Sequence, residues 1–201
     1  MPKASLKAKP AHSESKERVL EAAEKHFTEK GFAAVSLRDI ASELGMKQAS
    51  LYYHAPDGKE QLFVESLERA LQKHFQGIEN AIMNAKPNLD DQFLAVALWF
   101  FSQPPVDLMR MAHADMPKLP KRLANRFMEI SYQSLLSPIE KIVVEAQKRG
   151  ELRKEIDETM IAGGFFSIIQ SLQDVRQYAK RGDVALAKEA VDLILNGARK
   201  K

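Results

Sequence analysis

Residues 36–54, SLRDIASELGMKQASLYYH, divide into two short helical segments with a turn between them. Ser36 is placed to accept an amide hydrogen at the start of a helix beginning at Leu37, and Asp39 puts a carboxylate at the positive helix end. Leu37, Ile40, Ala41 and Leu44 recur on one face, and Gly45 follows where a left-handed residue ends a helix without a Cβ penalty. Only a turn fits before a second helix over 48–54, with Leu51 inward and Gln48, Ser50, Tyr52 and Tyr53 on the other faces. Helices joined this tightly cross steeply. Such a pair is either a helix-turn-helix whose second helix enters the DNA major groove, or a surface helical corner with its tyrosines partly buried.

Working outward, Val19, Leu20, Ala23 and Phe27 form one stripe of a helix that Gly31 terminates, and LYYHAPDGKEQLF follows the corner without a gap. With these flanks the chain resembles the tetracycline-repressor (TetR) family of bacterial transcriptional regulators. The residues that carry the likeness are Phe27 to Phe32, Val35 to Ala41, Gly45, Leu51 to His54, and Gly58 to Phe63. Three positions depart from the family pattern: Ala49 stands for a common glycine, Ala55 for an aromatic, and Ala55-Pro56-Asp57-Gly58 lengthens the connection. The resemblance implies phosphate contacts from Tyr53, His54 and Lys59. It implies a groove-facing surface of Lys47, Gln48, Ala49, Ser50 and Tyr52, and backbone contacts from Ser36 and Arg38.

The chain has 201 residues, of which 45% are hydrophobic and 28% charged, enough for a small module plus one substantial core. Thirty basic residues against 27 acidic ones give a net charge of +3, so any nucleic-acid affinity must come from local arrangement rather than overall charge. Cysteine is absent, which removes disulfides, thiolate metal sites and cysteine nucleophiles together. The longest apolar run, Phe93 to Phe101, is about half a bilayer span, and the N-terminus lacks a signal-peptide core. A cytoplasmic protein without membrane segments is expected.

The expected architecture is all-α, in four parts. Residues 1–12 form a flexible basic arm, 13–58 the DNA-binding module, 59–86 a connecting helix from Lys59 to Asn84, and 87–201 a helical ligand-binding and dimerisation domain. In that domain the reading places helices from Asp91 to Gln103, from Val106 to Ala114 and from Lys121 to Leu136, the first capped by Asp90. Ser137-Pro138-Ile139-Glu140 reads either as a capped fresh start or as a kink in one long helix. Asp157 caps a helix running to Lys180, and Asp183 caps the last one. Amphipathic faces with Phe165, Ile168, Leu172 and Val175 on one helix and Val191, Ile194 and Leu195 on the next either suit a two-fold interface or only pack against their own core, and the resembled family pairs through its last two long helices.

No catalytic or metal-ligating grouping emerges. His12, His26, His54, His74 and His113 contain no pair at helical metal spacing, and there is no glycine-rich phosphate loop. An enzyme, a metal and a cofactor are therefore not expected. Aromatics, methionines and scattered polar groups, namely Trp99, Met109, His113, Phe127, Met128, Tyr132, Phe166 and Gln170, read either as plain core or as the wall of a pocket for a largely apolar effector. The function expected is a homodimeric regulator, most often a repressor in that family, that binds a palindromic double-stranded operator and leaves it when a small molecule binds. The alternative is a helical small-molecule-binding or adaptor protein in which the Gly45 corner is only structural.

Overall fold

The computed structural model describes residues 14–104 and 111–199, which are helical throughout apart from short connections. The N-terminal arm and Met109 lie outside the described residues, as does most of the helix expected from Val106. Two units are present, the first extending to Arg69 and the second beginning at Ala70, so the division falls inside a helix. No helix among the described residues is long and apolar enough to cross a membrane.

The first unit contains α1 (Glu14–Ala34), α2 (Leu37–Glu43), α3 (Gln48–His54) and the start of α4 (Lys59–Asn84). Gly31 breaks α1 near its end with φ 76° and ψ 165°, where the sequence placed its stop. Val19, Leu20, Ala23 and Phe27 of α1 meet Ile40, Ala41, Leu51, Leu62 and Phe63, all buried. Phe27 sits edge-on to Phe63 at 5.0 Å and Phe32 lies 5.1 Å from the same ring, a geometry aromatic pairs favour. Around this core, Arg69 binds Glu17 and Glu24, and Lys16 binds Glu65 at 2.8 Å. These pairs tie α4 to α1.

In the second unit α4 continues to Asn84. The next helix, α5 (Leu89–Ser102), starts earlier than expected, because Asn88 rather than Asp90 supplies the cap by accepting the Asp91 amide at 2.9 Å. After a π-type turn at Met111–Asp115 and a short 3-10 turn come α6 (Lys121–Ser131) and α7 (Ser137–Arg149). A π-type turn at Tyr132–Leu136 joins these two. The wide turn settles the alternative left open at Pro138: the run stays helical, and widening accommodates a ring with no N–H to give. The expected Ser137–Glu140 capping box does not form. Glu140 is buried and accepts the Tyr132 hydroxyl at 2.5 Å, which holds the Tyr132 phenol above its ordinary pKa.

Asp157 caps α8 (Glu158–Val175) as expected, accepting the Thr159 amide at 2.9 Å. That helix stops at Val175, before Lys180. Asp183 opens α9 (Asp183–Ala198) as its first helical residue, with Gly182 in the cap position. α9 packs on α5 and α8, and α8 also packs on α7. Phe93 against Phe165 at 4.6 Å marks the centre of this core.

Gly77 lies in the middle of α4, where glycine is usually unfavourable. A methyl group there would overlap the indole of Trp99, so the glycine admits that ring against the helix. Gly77→Ala is therefore expected to destabilise the protein by about 1–3 kcal/mol through overpacking, against the sign of helix propensity. Urea unfolding of the two proteins measures it.

His74 is largely buried, stacked on Phe100 with centroids 6.2 Å apart. Burial, with a smaller effect from Lys73, pushes its pKa down from 6.5 to about 4. The folded value lies below the unfolded one, so this stability is complete above pH 6.5 and is lost as the pH falls toward 4. By pH 5 the loss attributable to His74 should reach about 2 kcal/mol. Urea unfolding at pH 7 and pH 5 should show a smaller acid penalty for His74→Leu.

Candidate nucleic-acid interface

The start of α2 is a reciprocal cap. The Asp39 amide donates to Ser36 Oγ at 3.3 Å, while the Ser36 amide and hydroxyl donate to Asp39 Oδ2 at 2.9 and 2.6 Å. These bonds hold the Asp39 carboxyl below the usual carboxylate range. At the other end Gly45, φ 64°, closes the helix, with Met46 N–H on the Ala41 carbonyl at 3.0 Å and Gly45 N–H on Ser42 at 3.1 Å. This is the two-bond C-terminal closure that a left-handed glycine permits. Both ends of α2 are thus set locally, and the chain emerges from Lys47 directed into α3.

Only Leu51 among the seven residues of α3 is buried, and it is fully buried. Gln48, Ala49, Ser50 and Tyr52 are exposed, His54 is half-buried, and Tyr53 is 86% exposed. Tyr53 meets the His54 ring edge-on at 5.3 Å, while His54 Nε2 lies 3.3 Å from Ser15 Oγ. Arg38 and Lys47 are exposed and form no ion pair among the described residues. A helix with one inward anchor and cations beside its outward face can enter a groove between two phosphate strands.

Two of the expected contact residues already have intramolecular duties. Ser36 is committed to its cap. Lys59 Nζ lies 3.4 Å from the Ala33 carbonyl and 4.4 Å above the Phe32 ring, so its ammonium is packed on the module at the start of α4. Ala55, where the family pattern has an aromatic, is buried. Gly58 takes φ 81° and donates to the Ala55 carbonyl at 3.0 Å, which lets the longer connection close as a tight turn.

One positioning group escaped sequence reasoning. Glu43 at the end of α2 accepts Lys25 Nζ at 3.0 Å, and its other oxygen is 2.7 Å from His26 Nε2. The Lys25 bond holds the Glu43 carboxyl below its ordinary range. This clamp joins α1 to α2 across 18 positions, and no periodicity links residues so separated.

Several second-unit assignments need correction. Phe165, Val191 and Leu195 are buried within their own protomer, and a side chain already covered by its own core has no surface left for a partner. Ile168, Leu172 and Ile194 are half-buried and Val175 is exposed. Among the candidate pocket residues, Phe127 and Phe166 are buried and Trp99 and Gln170 half-buried, whereas His113, Met128 and Tyr132 are exposed. Met128 keeps 56% of its surface, because the turn of α6 that buries Phe127 points the next side chain outward.

Residues 19–65, spanning α1 to the first part of α4, match the family model for bacterial regulatory proteins of the tetR family. Over this stretch the chain is similar to that family. Over 57 residues it is 40% identical to the HTH-type transcriptional regulator LmrA of Bacillus subtilis, covering 28% of this chain and 30% of LmrA. Over 53 residues it is 40% identical to the biofilm operon icaADBC HTH-type negative transcriptional regulator IcaR of Staphylococcus epidermidis, covering 26% and 28%. The chain therefore matches less than a third of the length of these relatives. Along nearly the whole chain the likeness is one of fold. The fatty acid degradation regulator FadR of Bacillus halodurans superposes with a TM-score of 0.75 at 17% identity, over 96% of this chain and all of that one. A regulator of Saccharomonospora viridis in complex with choline gives 0.69 at 22% identity, over 94% of this chain and all of its own.

Proposed function

We propose that this protein is a dimeric transcriptional repressor that grips a palindromic DNA operator with α3 of each protomer and lets go when a small, largely apolar effector occupies the second unit. The observation that carries the reading is the outward presentation of α3, with Tyr53 86% exposed and Leu51 its one buried residue. Leaving a tyrosine uncovered gains the fold nothing, while a phenol ring at a groove edge offers both a hydroxyl for phosphate and an apolar face for sugars and bases. Gln48 is suited to pair with an adenine edge. Arg38 and Lys47 supply phosphate neutralisation, joined by Lys59 once its ammonium leaves the Ala33 carbonyl and the Phe32 ring for a phosphate. The IcaR relative is named a negative regulator, which favours repression.

Two copies of α3 about 34 Å apart would read successive major grooves on one face of the duplex. The surface for pairing is the exposed apolar set on α8 and α9: Met160, Val175, Val184 and Leu193, the last 67% exposed. Leu193→Asp is expected to convert dimer to monomer in light scattering at micromolar concentration, with helical content unchanged. α4 belongs to both units, so an effector that favours one position of its second half would bias the position of α3.

The test is fluorescence anisotropy on DNA selected from genomic fragments. With six phosphates neutralised per dimer, log K against log salt should have a slope of about −5. Equal affinity for selected and random DNA would instead favour the adaptor alternative.

A further inference from the structure

We infer that the second unit holds a small apolar molecule bearing an uncharged carbonyl-type acceptor, gripped by the indole N–H of Trp99 and the side-chain amide of Gln170 beside the ring of His74. That this molecule is the effector rests on the regulator reading; the site itself does not. Trp99 Nε1 on α5, Gln170 Nε2 on α8 and His74 Nδ1 on α4 are all shut away from solvent and find no hydrogen-bond partner. Buried donors are nearly always satisfied, and one left unmet costs the fold its desolvation. Two of them, the Trp99 indole N–H and the Gln170 amide, on neighbouring helices and beside the unpartnered His74 ring nitrogen, point to a missing acceptor.

Ring contacts bring two of the three together, and helical spacing places the third. The His74 ring lies 6.3 Å from Trp99 and 6.2 Å from Phe100, and Phe100 meets Phe166 at 5.3 Å. Phe166, Gln170 and Gln173 follow at spacings of four and three, hence on one face of α8. Gln173 on that face donates to the carbonyls of Phe100 and Gln103, so Gln170, between two residues that touch Phe100, faces the same helix. Gln173 shows what an amide there does when an acceptor is within reach.

Trp99 is held in place from behind by Gly77, where any side chain would overlap the ring. Its nitrogen can only donate. A carbonyl oxygen has two lone pairs and can receive both N–H groups at once, with its apolar remainder against the aromatic rings. The donors are neutral, and burial keeps His74 neutral at physiological pH. Neither Trp99 nor Gln170 carries a charge to offset a carboxylate's desolvation, and a cationic ligand would face donors.

The chain has a single tryptophan, so a 15N-labelled sample gives one indole N–H cross-peak that reports on this site. Acetophenone, ethylbenzene and benzoate serve as probes. Acetophenone should move the peak downfield to saturation and bind at least tenfold more tightly than ethylbenzene, with benzoate no tighter than ethylbenzene. Gln170→Leu should weaken acetophenone at least fivefold, leave ethylbenzene unchanged, and keep or raise the urea midpoint, because an unmet donor is removed. A stationary peak, equal affinity for ketone and hydrocarbon, preference for benzoate, or a Gln170→Leu protein that unfolds more readily overturns the assignment. Anisotropy on the same samples separates the two ideas: acetophenone binding without DNA recognition keeps the site and removes the regulator, and the reverse result keeps the regulator alone.

Discussion

Tyr53→Ala leaves stability unchanged and weakens binding to the selected operator about a hundredfold. The first half follows from exposure. The side chain has 86% of its surface in solvent and meets the neighbouring His54 ring, so its truncation removes almost nothing from the folded state. The second half follows from the proposed symmetry: with two copies on each operator, losing about 1.4 kcal/mol at each gives a factor near 100. Anisotropy titration and urea unfolding on the same preparation provide both numbers. A variant that binds DNA as tightly as the parent would remove α3 from the interface.

Two residues earlier the expectation reverses. Leu51→Ala should cost about 4 kcal/mol of stability, since it empties a fully buried site between α1 and α2, and should abolish operator binding as well. No other residue of α3 is buried, so Leu51 is the main apolar hold of the helix on the module. Urea unfolding checks the first effect and anisotropy the second. Leu51→Met, which nearly conserves volume, should recover most of both. Together with Tyr53→Ala this separates a residue that acts on DNA from one that acts on the fold.

Most of the first unit was legible in the chain because its signals are local. Ser36 and Asp39 are three residues apart, and Gly45 is followed directly by the turn it permits, so cap, stop and corner each depend on neighbours in sequence. Leu51 was readable as the inward residue for the same reason. α4 ran from Lys59 to Asn84 as read, its stripe being continuous. Elements bounded by less exclusive signals drifted: Asn88 took the cap expected of Asp90 because its carbonyl oxygen reaches the Asp91 amide, and either residue type can cap.

By itself, then, the sequence determined the all-helical class, the helix-turn-helix corner and the identity of the side chains α3 carries, since all of these follow from spacings within one or two helical turns. Only the tertiary structure decided which apolar residues are spent inside the protomer. Phe165 and Leu195 share the stripe pattern of Ile168 and Ile194, and periodicity names a face without saying how deeply each position on it is covered. The same limit applied to polar groups. That Glu43 would hold α1 to α2, that Glu140 would take Tyr132 rather than cap α7, and that Trp99 and Gln170 would be left with donors unmet depends on helices distant in the chain arriving side by side. Hydrogen bonding is short-ranged in space and indifferent to sequence separation.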